Sequence, residues 1–195
     1  MKIVTRYILL GFFIIFTWPF FLYKKYGNTK YKLQNRTIIV SNHYSNFDPF
    51  FIYLIYGRKK IYFVTIADVK KRSITKFIAW LFDCLYVDYA KVNLQFFKNC
   101  IEILNNDGII CIFPEGVINP SKQGFFDFKN SFVYLAKKTN ASVLPLYIYP
   151  ELTLFKKSKI YIGEQITAQK LSQFDNLDAA STYVQNKIVE YSHTC

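Results

Sequence analysis

His43 and Asp48 stand five residues apart in the run Asn42-His43-Tyr44-Ser45-Asn46-Phe47-Asp48, directly after an uninterrupted apolar stretch. An imidazole can take a proton from a hydroxyl. A carboxylate that folds back onto it fixes the tautomer and stabilises the imidazolium that forms. The pair alone leaves a plainer alternative open, a histidine held by Asp48 as a cap or core contact. His193, the other histidine in the chain, lies close to the end, where helices fray. A working histidine in this chain is therefore His43.

The elements around the pair are readable. Thr37-Ile38-Ile39-Val40 is β-branched and reads as a buried strand, and Asp48-Pro49 opens a more helical segment, Phe50 to Tyr56, which puts His43 on a strand-to-helix turn. Further strands are expected at Ile61-Thr65, Leu85-Val87, Ile109-Phe113, Val143-Tyr147 and Lys159-Ile162. Between them, Phe97, Cys100, Ile101 and Leu104 recur at helical spacing, and Asn106-Asp107-Gly108 ends that helix. Ser131 to Lys138 and Asp178 to Tyr191 give two more helices. The expected fold class is α/β, a single-domain mixed sheet flanked by helices.

The pattern N-H-x-S-x-x-D resembles the first signature of the glycerolipid acyltransferase family, which includes the 1-acyl-glycerol-3-phosphate acyltransferases. Phe113-Pro114-Glu115-Gly116 resembles the family's F-P-E-G, again after an apolar run, while Phe128-Lys129 and Val143-Leu144-Pro145 are similar to its F-K-x-G and V-x-P elements. The resemblance covers Thr37 to Tyr149. It implies a fatty acyl group moved from acyl-CoA or acyl carrier protein to a lysophospholipid, with direct attack by the acceptor hydroxyl and no bound cofactor or metal. His43 and Asp48 would be catalytic. Phe113, Pro114, Glu115, Gly116, Ser45 and Lys129 would serve substrate binding, with Glu115 accepting a hydrogen bond from a glycerol-type hydroxyl and Ser45 also bracing the turn.

Departures from the family pattern bear on the acceptor. Members that use lysophosphatidate carry an arginine in the second motif and another after F-P-E-G, and the corresponding positions here are Tyr89 and Ile118. Lys91, Lys122 or Lys129 could supply point charges, but a lysine does not replace a bidentate guanidinium. Ser131 replaces the glycine of F-K-x-G. Two other outcomes stay open on the residues alone: a catalytically silent membrane-binding relative, and a lipid hydrolase or transacylase using the same histidine.

Composition points to lipid. The chain has 195 residues, 52% hydrophobic and 19% aromatic, with a net charge of +12. Apolar surface within a positive field suits an anionic membrane, and no helix-turn-helix, zinc spacing or RNA-recognition signature supports nucleic acid as partner. From Tyr7 to Tyr23 no residue is charged. This stretch predicts a membrane anchor helix over residues 1–26 ahead of an acyltransferase domain over 27–195, able to span or to dip and return. The positive run from Lys24 to Arg36 would hold the catalytic domain on the cytoplasmic side. Arg58-Lys59-Lys60 and Lys70-Lys71-Arg72 would add attraction to an anionic leaflet. The four cysteines show no zinc or redox spacing and read as reduced.

Overall fold

The computed structural model describes residues 5, 8–12, 15, 22–57, 59–66, 73–82, 84–87, 94–121, 124–150 and 158–194. In chain order the elements are β1 (Tyr23–Gly27), β2 (Thr37–Ser41), α1 (Asp48–Tyr56), β3 (Ile61–Ile66), α2 (Ser73–Leu81), β4 (Leu85–Val87), α3 (Leu94–Asn105), β5 (Ile109–Ile112), α4 (Ser131–Thr139), β6 (Ser142–Ile148), β7 (Ser158–Ile162), α5 (Ala168–Ser172) and α6 (Leu177–Ser192). The seven strands form one sheet in the order β1-β7-β6-β2-β5-β3-β4. All neighbours run parallel except β6 and β7, so the sheet is mixed.

Strand alternation divides the core. Ile38, Val40, Ile110, Ile112 and Val143 face one side and pack with Cys100 and Leu104 of α3, Phe132 and Leu135 of α4 and Val184 of α6. Ile39, Cys111, Leu144 and Leu146 face the other and pack with Phe50, Phe51 and Ile52 of α1. Both faces of β2 are thereby covered, which is why it reads as a continuous apolar run and not as an alternating one. Burial pushes the Cys100 thiol up to about 12, in keeping with an inert core cysteine.

Topology fixes where the site lies. The chain leaves β2, crosses β5 and enters β3 by way of α1 on one face; it leaves β5, crosses β2 and enters β6 by way of α4 on the other. The two connections diverge at the carboxyl ends of β2 and β5. Such a divergence opens the crevice where α/β sheets bind ligands. Pro145 lies inside β6 without breaking it. Its carbonyl accepts from Gly163 at the end of β7, and in an extended strand the missing N–H would point the same way, away from the ladder with β2.

The amino-terminal expectation needs correction. Tyr23–Gly27, which overlaps the last four residues of the expected anchor over 1–26, is a strand paired in parallel with β7, so the sheet begins ahead of residue 27. Most of the uncharged stretch lies outside the described residues. Among those described, no helix is long and apolar enough to cross a membrane, and Leu10 is buried against the α1 side of the core. β1 escaped notice because its sequence YKKYG has neither alternation nor a β-branched residue. The structure also adds α2 and α5, and starts α1 two residues early, at Asp48.

Pairing with β7 gives β1 a measurable role. A chain beginning at Leu22 should resist urea better than one beginning at Asn28, by about 1 kcal/mol for each backbone hydrogen bond the strand makes. Equal midpoints would show that β1 contributes nothing.

Candidate active site

The register of β2 and β5 pairs Val40 with Ile112. Three residues further on in each chain stand His43 and Glu115. The His43 backbone N–H donates to Glu115 Oε1 at 2.9 Å, so two motifs 72 residues apart in sequence meet at the strand ends.

Asp48 opens α1 and turns its side chain back over the loop. Its Oδ2 accepts from His43 Nδ1 at 2.9 Å and from the backbone N–H groups of Tyr44 at 2.7 Å and Ser45 at 2.8 Å. Burying an ionised carboxylate is costly, and three donors with the amino end of a helix offset that cost. Among the described residues the buried Oδ1 has no hydrogen-bond partner, which concentrates the coordination on the oxygen that holds the imidazole. Pro49 follows where the first helical N–H would be unpaired anyway. Ser45 Oγ accepts from the Phe47 N–H at 3.2 Å and so braces the turn, the second of the roles given to it from the sequence.

With Nδ1 bonded to Asp48, Nε2 is the ring nitrogen left to meet a ligand. The His43 side chain is 17% exposed and stacks on Phe113, with centroids 4.2 Å apart and planes at 19°. Among the described residues Nε2 has no protein partner. A hydroxyl brought to Nε2 can lose its proton there while Asp48 steadies the imidazolium.

Glu115, given an acceptor-binding role by the resemblance, has backbone partners in the structure. It is 4% exposed, and each oxygen takes a backbone N–H, Oε1 from His43 and Oε2 from Phe126 at 3.0 Å. Burial pushes its pKa up, while the two amides pull the other way. Its geometry ties the histidine turn to the loop that follows. Gly116 turns the chain immediately after it at φ 75°, a conformation that strains any side chain, and donates to the Phe113 carbonyl at 3.0 Å. Pro114 contributes its carbonyl to the Lys129 N–H at 3.0 Å, and the Lys129 side chain is exposed. Ile118 is half-buried, with no guanidinium in its place; Tyr89, Lys91 and Lys122 lie outside the described residues.

Several supporting residues carry no motif of their own. Asn42 is fully buried and mimics a strand neighbour, donating to the Ile148 carbonyl and accepting from its N–H, both at 2.8 Å. Asn119 donates from its backbone to the His43 carbonyl at 2.7 Å. Gln185 on α6 accepts from Phe128 N–H and donates to Phe126 O, each at 3.2 Å, anchoring the loop that Glu115 grips. Asn42 was signalled by its place beside His43. Gln185 had no signal, since one glutamine on an amphipathic helix looks like any solvated position.

The loops at the carboxyl ends of β2 and β5 in a mixed α/β sheet thus bring together a histidine–carboxylate pair and a buried glutamate, an arrangement that can take a proton from a hydroxyl. The family model described as Acyltransferase matches residues 23–149, and the chain belongs to that family. A Mycoplasma pneumoniae protein described as a probable 1-acyl-sn-glycerol-3-phosphate acyltransferase is 26% identical over 123 residues, 59% of this chain. The match spans 45% of that relative's length. The crystal structure of the 1-acyl-sn-glycerophosphate (LPA) acyltransferase PlsC from Thermotoga maritima superposes with a TM-score of 0.70 at 20% identity, covering 100% of this chain and 84% of that one. That likeness establishes the fold.

Two outcomes follow from the geometry. His43→Ala and Asp48→Asn should each lower the turnover of acyl transfer about a hundredfold or more while thermal unfolding shows the fold retained; retention of most steady-state activity by either purified variant contradicts the base assignment. Glu115→Gln turns an amide NH₂ toward one of two N–H donors and should lower kcat about tenfold with little change in acceptor KM. A raised KM at unchanged kcat would instead make Glu115 a direct acceptor ligand.

Proposed function

We propose that the protein is an O-acyltransferase of the 1-acylglycerol-3-phosphate type, transferring a fatty acyl group from a thioester to the free hydroxyl of a lysophospholipid in phospholipid biosynthesis. The observation that carries this reading is the His43 Nδ1–Asp48 Oδ2 contact of 2.9 Å at the mouth of the β2–β5 crevice, in a chain of the acyltransferase family. The acceptor hydroxyl gives its proton to His43 Nε2 as its oxygen attacks the thioester carbonyl. Collapse of the tetrahedral intermediate breaks the C–S bond. The imidazolium then returns the proton to the departing thiolate, so the histidine ends as it began.

A lipid acceptor suits the rim of the site. Phe47, Val117 and Phe126 are 47%, 53% and 44% exposed, and each belongs to a segment that holds a site residue: Phe47 precedes Asp48, Val117 follows Gly116, and the Phe126 N–H bonds Glu115. Three large apolar side chains left in water around one polar pair mark a path for acyl chains. The basic run from Lys24 to Arg36 favours an anionic, cytoplasmic leaflet as the surface from which lipid is taken. Acyl-CoA and acyl carrier protein both present the required thioester. With Ile118 where relatives that use lysophosphatidate place arginine, the acceptor phosphate is held by lysines or backbone amides.

The purified protein, given a labelled acyl thioester and lysophosphatidate, should form labelled phosphatidate. Phe47→Ser with Phe126→Ser should raise the KM for long-chain lysolipid about tenfold or more and leave a short-chain soluble analogue little affected. Label released only as free fatty acid would identify a hydrolase. No thioester-dependent labelling of any lysolipid would overturn the assignment.

A further inference from the structure

A second feature lies at the opposite end of the sheet. Between the β1 side of the domain and the end of α1 runs a groove of about 690 Å³, walled by Lys25, Tyr31 and Lys32 on one side and by Tyr56, Gly57 and Lys59 on the other. His43 follows the carboxyl end of β2, whereas Lys59 precedes β3 and bonds Asn35, which precedes β2, at 2.6 Å. The groove begins at Tyr53, about 7.5 Å along α1 from Asp48.

Its chemistry is one-sided. Among the described residues that line it three are lysines and none is acidic. Beneath the lysines, two phenols lack acceptors. The Tyr56 side chain is buried, with the residue 8% exposed, and among the described residues its hydroxyl has no hydrogen-bond partner; the Tyr31 hydroxyl is buried and has no acceptor among them. The Tyr31 oxygen faces the Gln34 backbone N–H, which only donates, so the Tyr31 proton still needs an acceptor. Burial is the main cause that pushes the Tyr56 pKa up, and its closeness to Tyr31 adds to it, so both phenols hold their protons and stand as donors. Nearby carbonyls that would repel an anion are already engaged: Leu54 O accepts from Tyr23 OH at 3.2 Å and Tyr56 O from Lys59 N–H at 2.9 Å. Buried hydroxyls without acceptors are rare because each forfeits its bond to water, and donors beneath a cationic rim lack only a multivalent oxygen acceptor.

We propose that this groove binds the phosphate group of a phosphoester, with Tyr56 and Tyr31 donating to its oxygens and Lys25, Lys32 and Lys59 closing over it. The site is separate from the catalytic pair. It accepts a phospholipid headgroup or a soluble phosphate ester through the same contacts, and the apolar side chains of Leu33, Leu54 and Ile55 beside it suit a ligand that carries hydrocarbon as well.

The test uses the full chain. Inorganic phosphate and glycerol 3-phosphate are titrated against the protein by calorimetry, and flotation is measured with vesicles of phosphatidylcholine alone and with added phosphatidate. Tyr56→Phe removes one oxygen without changing shape and should not lower the melting temperature. It should weaken phosphate binding about tenfold, Lys32→Gln with Lys59→Gln should do so at least as strongly, and His43→Ala should leave it unchanged. Binding of the soluble esters identifies a soluble ligand, and loss of phosphatidate-dependent flotation in Tyr56→Phe identifies a headgroup. Absence of saturable binding in both arms, or binding equal in wild type and Tyr56→Phe, overturns the proposal.

Discussion

One buried carboxylate oxygen organises the turn at the carboxyl end of β2. Asp48 Oδ2 holds a ring nitrogen of His43 and the backbone amides of Tyr44 and Ser45, so orientation of the base and shape of the turn come from a single group. Neither could be changed without the other. The arrangement requires the carboxylate to sit at the start of a helix, because only there do the preceding amides lie within reach and the helix dipole favour its charge. Five-residue spacing is the sequence form of that geometric need.

Placement of the turn is a matter of sheet topology. Parallel strands β2 and β5 carry the two motifs to the same level, and Glu115 locks them together by reaching across to the His43 amide. A further chain of contacts extends from there: Glu115 to Phe126, Phe126 and Phe128 to Gln185, and Gln185 to a helix that closes the far side of the core. Asn42 binds the end of β2 to the end of β6 in the same manner. The histidine is thus held by backbone contacts on both flanks, the kind of support that keeps a site residue rigid.

Much of this was legible in the sequence because the buried strands are strongly patterned. Six of the seven strands were expected, since runs such as Thr37-Ile38-Ile39-Val40 and Ile109 to Ile112 have no other economical reading. His43 and Asp48 were found as a pair for the same local reason. What stayed hidden was long-range. β1 is polar and owes its strand character to β7, 135 residues away, and the resemblance that gives Glu115 a place in acceptor binding carries no sign that backbone amides meet both of its oxygens. Residues 1–26 were read as one membrane helix on hydropathy, which is blind to a strand at the end of an uncharged run.

The central claim is that Asp48 fixes the imidazole with its proton on Nδ1, leaving Nε2 as the base. Nitrogen NMR of the protein labelled in its two histidines measures this directly, with His193 near the chain end as an internal contrast. The neutral His43 ring should show a protonated Nδ1 and a bare Nε2. A proton found on Nε2 instead would leave the acceptor hydroxyl facing a donor, and the catalytic account would fail.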